Sequence, residues 1–126
     1  MTAQNILVVE DNEKSMKLFR DVLTATGFRT LEAGTGRDAL ELAAEHVPDL
    51  VLMDIQLPDL DGVEALSRLR ADERTASIPV LALTAQAMLG DRERFVAAGF
   101  DDHISKPVNV VELVRTVRRY CDGGGQ

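Results

Sequence analysis

Apolar residues are spread along the chain in two alternating patterns. Asn5 to Val9, Leu50 to Met53 and Pro79 to Thr84 are short, nearly unbroken apolar runs, the pattern of strands buried on both faces of a parallel sheet. Arg29 to Ala33 alternates polar and apolar residues, which suits a strand nearer the sheet edge, and His103 to Ser105 is a brief last strand. Between these runs the apolar residues recur every three or four positions, as on a helix. Glu13 to Thr26 carries Met16, Phe19, Val22 and Leu23, with Gly27 as its C-cap. Thr35 and Asp38 open a second helix with Ala39, Leu40, Leu42 and Ala43 on its apolar face, and Pro48 blocks its continuation past His46. Gly62 to Ala71 places Val63, Leu66 and Leu69 on one side, and Asp61 and Glu64 can cap it. Gly90 to Ala98 forms a short helix around Phe95 that Gly99 ends. Asn109 and Glu112 cap a final helix whose Val110, Leu113, Val114 and Val117 face inward.

Strands that alternate with helices imply an α/β fold, a parallel sheet joined by right-handed crossovers with helices on both faces. Five such units fit the flavodoxin-like strand order 2-1-3-4-5. No linker or internal repeat divides the chain, so residues 1–122 are expected to be one domain and residues 123–126, glycine-rich, a flexible tail. Ligands in these sheets bind beyond the carboxyl ends of the strands, at the switch point between the first and third. Glu10 and Asp11 follow the first strand, Asp54 the third, Thr84 ends the fourth and Lys106 follows the fifth. Separate segments thus converge on one polar site.

The 126 residues carry a net charge of -7. That balance opposes a nucleic-acid surface, which needs clustered Lys and Arg; the densest basic group, Arg115, Arg118 and Arg119, suits the C-terminus of a helix. No apolar stretch approaches membrane-spanning length and no signal-peptide core follows the first residues, so a cytoplasmic location is expected. Cys121 is the sole cysteine and has no partner for a disulfide or a zinc site. His46, near a helix end, reads as a surface residue.

Three carboxylates brought together repel one another, so one is protonated or a cation shares the site. Oxygen ligands without cysteine or histidine favour Mg²⁺. Asp11 and Asp54 are the expected direct ligands, with Glu10 acting through water and Gln56 through its carbonyl. An ionised aspartate attacks phosphorus without a general base, while a metal and a lysine, Lys106, neutralise charge on the transferring group. The Thr84 hydroxyl and the backbone N–H groups of Ile55 and Ala85 are candidate donors to phosphoryl oxygens.

Val9-Glu10-Asp11-Asn12, Met53-Asp54-Ile55-Gln56-Leu57-Pro58, Leu83-Thr84-Ala85 and Ser105-Lys106-Pro107 together resemble the CheY-like receiver domain of two-component response regulators, over essentially the whole chain. Met16-Lys17-Leu18-Phe19 further resembles the single-domain cell-division regulators of that family. The resemblance implies Asp54 as phosphoacceptor, Glu10 and Asp11 as the acidic pair, Thr84 and Lys106 as the signal-transmitting pair, and a cis bond before Pro107. It implies a protein that assists its own phosphorylation and dephosphorylation rather than a turnover enzyme. A histidine kinase or histidine phosphotransfer protein would be the donor, and a protein target would bind the face formed by the fourth helix, fifth strand and fifth helix. One departure stands out. Receivers usually carry Tyr or Phe three residues before the lysine, where this chain has His103; an inward-turning switch role and plain partner contact are both open to it.

Two rivals remain. Gly34-Thr35-Gly36-Arg37-Asp38-Ala39 matches the dinucleotide fingerprint G-x-G-x-x-(G/A) between a strand and a helix, but it follows an alternating strand and leaves Glu10, Thr84 and Lys106 unexplained. An aspartate-dependent phosphatase would want a second acid at position 56, where Gln stands.

Overall fold

A computed structural model describes residues 4–85 and 91–121. Gly90, expected to open the fourth helix, and the expected tail 123–126 lie outside the described residues. The elements in order are β1 (Asn5–Val9), α1 (Glu13–Ala25), β2 (Arg29–Ala33), α2 (Gly36–His46), β3 (Leu50–Asp54), α3 (Gly62–Ala71), β4 (Val80–Thr84), α4 (Asp91–Ala98), β5 (Asp102–Ser105) and α5 (Val110–Cys121). All strand pairs are parallel, in the order β2-β1-β3-β4-β5. This is the flavodoxin-like arrangement expected from the sequence.

Because successive side chains on a strand point to opposite faces, each central strand feeds two cores. Ile6, Val8, Leu50, Leu52, Leu81 and Leu83 meet Met16, Phe19 and Leu23 of α1 and Leu113 and Val117 of α5. Leu7, Val9, Val51, Met53, Val80 and Ala82 meet Ala39 and Ala43 of α2, Ala65, Leu66 and Leu69 of α3, and Phe95. Burying each large side chain is worth about 1.5–3 kcal/mol, so the central strands are the part of the fold least free to move.

The helices start where short polar side chains accept orphan N–H groups. Asn12 accepts from Ser15, Thr35 from Asp38, Asp61 from Val63 and Glu64, and Asn109 from Glu112. Gly27 lies at φ 98, a conformation that a side chain would strain. Several boundaries differ from expectation. Ladder pairing brings Asp102 into β5, and β4 begins at Val80 because Pro79 lacks an N–H for the ladder. Val63 and Val110, expected inward, are exposed. In α3 the buried stripe is Gly62, Ala65, Leu66 and Leu69, so small residues hold the positions closest to the sheet and Val63 falls off the stripe. In α5 the stripe is Leu113, Val117 and Cys121, and Val110 lies a turn before it.

Candidate functional site

The carboxyl ends of β1, β3, β4 and β5 deliver the polar residues to one place. β3 is buried throughout, and its last residue, Asp54, is 8% exposed. Glu10 follows β1 directly, and its N–H donates to the Ala33 carbonyl at 3.0 Å, which fixes the chain as it leaves the sheet. One carboxylate oxygen each from Glu10, Asp11 and Asp54 lie within 4.8 Å of one another. Glu10 is buried, whereas Asp11 is exposed at the mouth. The donor set is all carboxylate oxygen, as a hard divalent cation requires, so these residues fit a Mg²⁺ site.

Lys106 crosses from beyond β5 to join them. Its Nζ lies 2.7 and 2.9 Å from the two oxygens of Glu10 and 3.1 Å from Oδ2 of Asp54. The position of the lysine is set by its own N–H, which donates to the Thr84 carbonyl at 2.7 Å; its peptide bond to Pro107 is cis. Thr84 is buried at the end of β4, and Ala85 beyond it is exposed. The cis bond is the one the sequence implied.

The environment separates the two buried carboxyls. Burial, then the hydrogen bond shared with Asp54, pushes the Glu10 carboxyl up to about 7, against the opposing pull of Lys106. Burial works against ionised Asp54 too, but hydrogen bonds from Glu10 and the Gln56 N–H, with the Lys106 charge, hold its pKa below the usual aspartate value. Burial likewise disfavours the Lys106 ammonium, yet its bonds to Glu10 and the charge of Asp54 keep its pKa above that of an ordinary lysine. The result is an ionised Asp54 beside a carboxyl that gives up its proton near neutrality.

The backbone around Asp54 differs in one respect from expectation. The Ile55 N–H, expected to serve a phosphoryl oxygen, donates to the Leu83 carbonyl at 3.2 Å and extends the β3–β4 ladder. The donor that faces Asp54 is instead the Gln56 N–H, 2.8 Å from Oδ1. The loop closes tightly behind. A Cβ on Gly62 would sit 2.6 Å from the Ile55 Cα and 2.8 Å from the Asp54 carbonyl oxygen, so α3 can start there only with glycine.

The Gly34–Ala39 segment is not a nucleotide loop. It follows β2, which pairs only with β1 at the sheet edge. Its helix N-terminus is already filled: the Asp59 carboxylate accepts from the Gly36 and Arg37 N–H groups at 2.7 and 3.0 Å. Gly36 is there for packing, since a Cβ would meet the Leu60 side chain at 2.9 Å. Sequence reasoning had no role for Asp59, whose partner lies more than twenty residues earlier in the chain.

His103 is half-buried on β5, with its ring centroid 5.7 Å from that of Phe95. Its Nδ1 is buried without a hydrogen-bond partner among the described residues, and Oδ1 of Asp102 is 3.8 Å away. The imidazole therefore packs against the protein rather than pointing freely into solvent.

Residues 6–118 match the model of the response regulator receiver domain. The chain belongs to that family. Among its relatives, the polar-differentiation response regulator DivK of Brucella ovis is 48% identical over 117 residues, which is 93% of this chain and 95% of that protein. The receiver domain of the sensor histidine kinase PA1611 from Pseudomonas aeruginosa is 37% identical with a TM-score of 0.88, over 97% of this chain and all of that one, and carries a magnesium ion in its active-site cleft. The receiver domain of the yeast response regulator Ssk1, solved with the phosphotransfer protein Ypd1 of Saccharomyces cerevisiae, is 27% identical with a TM-score of 0.87, over 95% and 90% of the two chains. As a receiver the chain takes its place in phosphorelay signal transduction, and its family is not a classical enzyme family. No helix among the described residues is long and apolar enough to cross a membrane.

Proposed function

We propose that Asp54 accepts a phosphoryl group from the phosphohistidine of a kinase or phosphotransfer protein. The observation that carries this is the meeting of Glu10, Asp11 and Asp54 within 4.8 Å, with Lys106 bonded to two of them. Asp54 is the ionised member and so the nucleophile, in line with a phosphoryl donor that enters from the open side of the pocket. Asp11 and Asp54 would hold Mg²⁺, with Glu10 through water and the Gln56 carbonyl as further ligands; the ion would supply charge neutralisation on the phosphoryl oxygens. A receiver neighbour with magnesium in its cleft supports this assignment. Thr84 and Lys106 meet the phosphoryl group from β4 and β5, with the Gln56 and Ala85 N–H groups as backbone donors.

The output is a population shift on the face formed by α4, β5 and α5. Lys106 and Thr84 are linked through their backbones, and His103 and Phe95 pack together behind them, so a change at the phosphoryl group reaches β5 and α4 directly. His103 acts as the switch residue of this face, and a protein target binds it. Complex formation by Ssk1 with a phosphotransfer protein supports the donor class. The protein works in the cytoplasm, where such kinases present their phosphohistidines. Intact mass after incubation with acetyl phosphate and Mg²⁺ tests the assignment: wild type gains one phosphoryl group and Asp54→Asn gains none. Equal labelling of the variant would move the acceptor elsewhere.

A further inference from the structure

Beside Asp54 lies a cavity of about 200 Å³ whose lining, among the described residues, is Asp54, Ile55, Gln56, Thr84, Ala85, Lys106 and one residue from the helix layer, Arg94. Arg94 stands in α4, next to Phe95, which anchors the helix: Phe95 is 4% exposed and packs edge-on against Phe100 with centroids 6.2 Å apart. The Arg94 guanidinium lies 5.2 Å from the Phe95 ring centroid, close enough for the ring face to attract the cation and steady a long side chain. Its side chain is exposed and lines the cavity, so a group arriving there comes within its reach.

The case for a further side-chain cation beside the metal starts from the donors of Lys106. A lysine ammonium has three N–H donors and no more, and Lys106 is within bonding distance of three carboxylate oxygens, two on Glu10 and one on Asp54. Phosphorylation replaces the single negative charge of Asp54 with an acyl phosphate of about −2 and brings three strong acceptor oxygens into this already acidic pocket. Lys106 can meet them only by giving up bonds it holds. An arginine presents its donors in a planar fork that matches two phosphoryl oxygens at once, and Arg94 is the arginine on this cavity.

We propose that Arg94 is a phosphoryl-binding residue of the receiver site, drawn to the phosphorylated aspartate from α4 while Lys106 approaches from β5. The proposal rests on Asp54 as phosphoacceptor. It also gives the fourth helix its own contact with the phosphoryl charge, one that does not pass through Thr84. Through the Arg94–Phe95 contact and the Phe95–His103 packing, that contact bears on the same output face.

The test is the affinity for beryllofluoride, a mimic of the phosphoryl group, at saturating Mg²⁺, followed by ¹⁹F NMR in wild type, Arg94→Lys, Arg94→Gln and Asp54→Asn. Mg²⁺ affinity alone is measured in parallel. Loss of a charge-assisted bond should weaken beryllofluoride binding about tenfold in Arg94→Gln, with Arg94→Lys between the two. Mg²⁺ alone should bind Arg94→Gln as tightly as wild type or more tightly, because a nearby positive charge has been removed; a merely structural role would weaken both ligands. Beryllofluoride affinity in Arg94→Gln within about twofold of wild type overturns the proposal, as does parallel loss of both ligands. Undiminished binding by Asp54→Asn would instead overturn the phosphoacceptor assignment, so the two failures are distinguishable.

Discussion

Lys106→Met removes the cation from a pair of buried carboxyls while keeping an apolar stem of similar length. The ammonium bonds Glu10 at 2.7 and 2.9 Å and Asp54 at 3.1 Å, with Glu10 2% exposed. Breaking a buried pair by removing one partner costs about 3–5 kcal/mol when the other charge cannot escape. Here it can escape, because the Glu10 carboxyl already sits at about 7 with the lysine present. The lysine pulls that value down, so without it Glu10 rises further. A carboxyl raised in the folded state binds its proton there more tightly than in the unfolded chain. Stability therefore falls as pH rises from the unfolded value of 4.5 through the folded one, by at most about 1.4 kcal/mol per pH unit. The cost of Lys106→Met should thus be about 1 kcal/mol near pH 5.5, where Glu10 is neutral in both proteins, and about 2 kcal/mol near pH 8, where the folded variant keeps Glu10 protonated after wild type has released that proton. Urea unfolding in EDTA at both pH values, against wild type, measures the difference. An equal loss at the two values would refute the view that Glu10 is the group that titrates, and Mg²⁺ should restore part of the loss at the higher pH.

Asp11→Ala removes the exposed carboxylate of the acidic group, so Mg²⁺ affinity should fall about tenfold or more by calorimetry with little change in stability; an unchanged dissociation constant would take Asp11 out of the ligand set. Gly62→Ala sets a methyl against backbone at 2.6 and 2.8 Å and should cost about 2 kcal/mol in urea unfolding, with weaker Mg²⁺ binding as the Asp54 loop is displaced. A neutral outcome would show that the start of α3 can slide. His103→Phe replaces a buried nitrogen that lacks a partner among the described residues with an apolar ring edge beside Phe95. It should stabilise the protein by about 1 kcal/mol near pH 8, and a loss of stability would mean that the nitrogen finds a partner in solution.

Much of this architecture could be read before any coordinates because burial on both faces leaves a plain mark: Leu50 to Met53 has no polar residue, so the carboxylate after it had to stand at the sheet edge. The same logic placed Glu10, Thr84 and Lys106, since strand order alone decides which ends meet. Contacts that depend on side-chain reach left no such mark. Nothing in the sequence joins Lys106 to Glu10, ninety-six positions apart, or Asp59 to the start of α2, and the latter turned a nucleotide-like fingerprint into a capped helix. Arg94 was one charged residue among several on a short polar helix until the fold set it on the cavity. Val63 and Val110 were misplaced because periodicity marks an apolar face by its large residues, whereas in α3 the inward positions belong to Gly62 and Ala65.

The Asp59 carboxylate that caps α2 also divides the molecule mechanically. It ties the loop after the reactive aspartate to the helix on one flank, and Gly62 presses the far end of that loop onto Ile55. On the opposite flank the carboxylate of Asp54 is tied only by a lysine side chain among the described residues. A disturbance at Asp54 thus meets a stiff wall on the side of α2 and a compliant one on the side of β5. The yielding side takes up the displacement, and the direction in which the signal leaves the site is built into the resting protein.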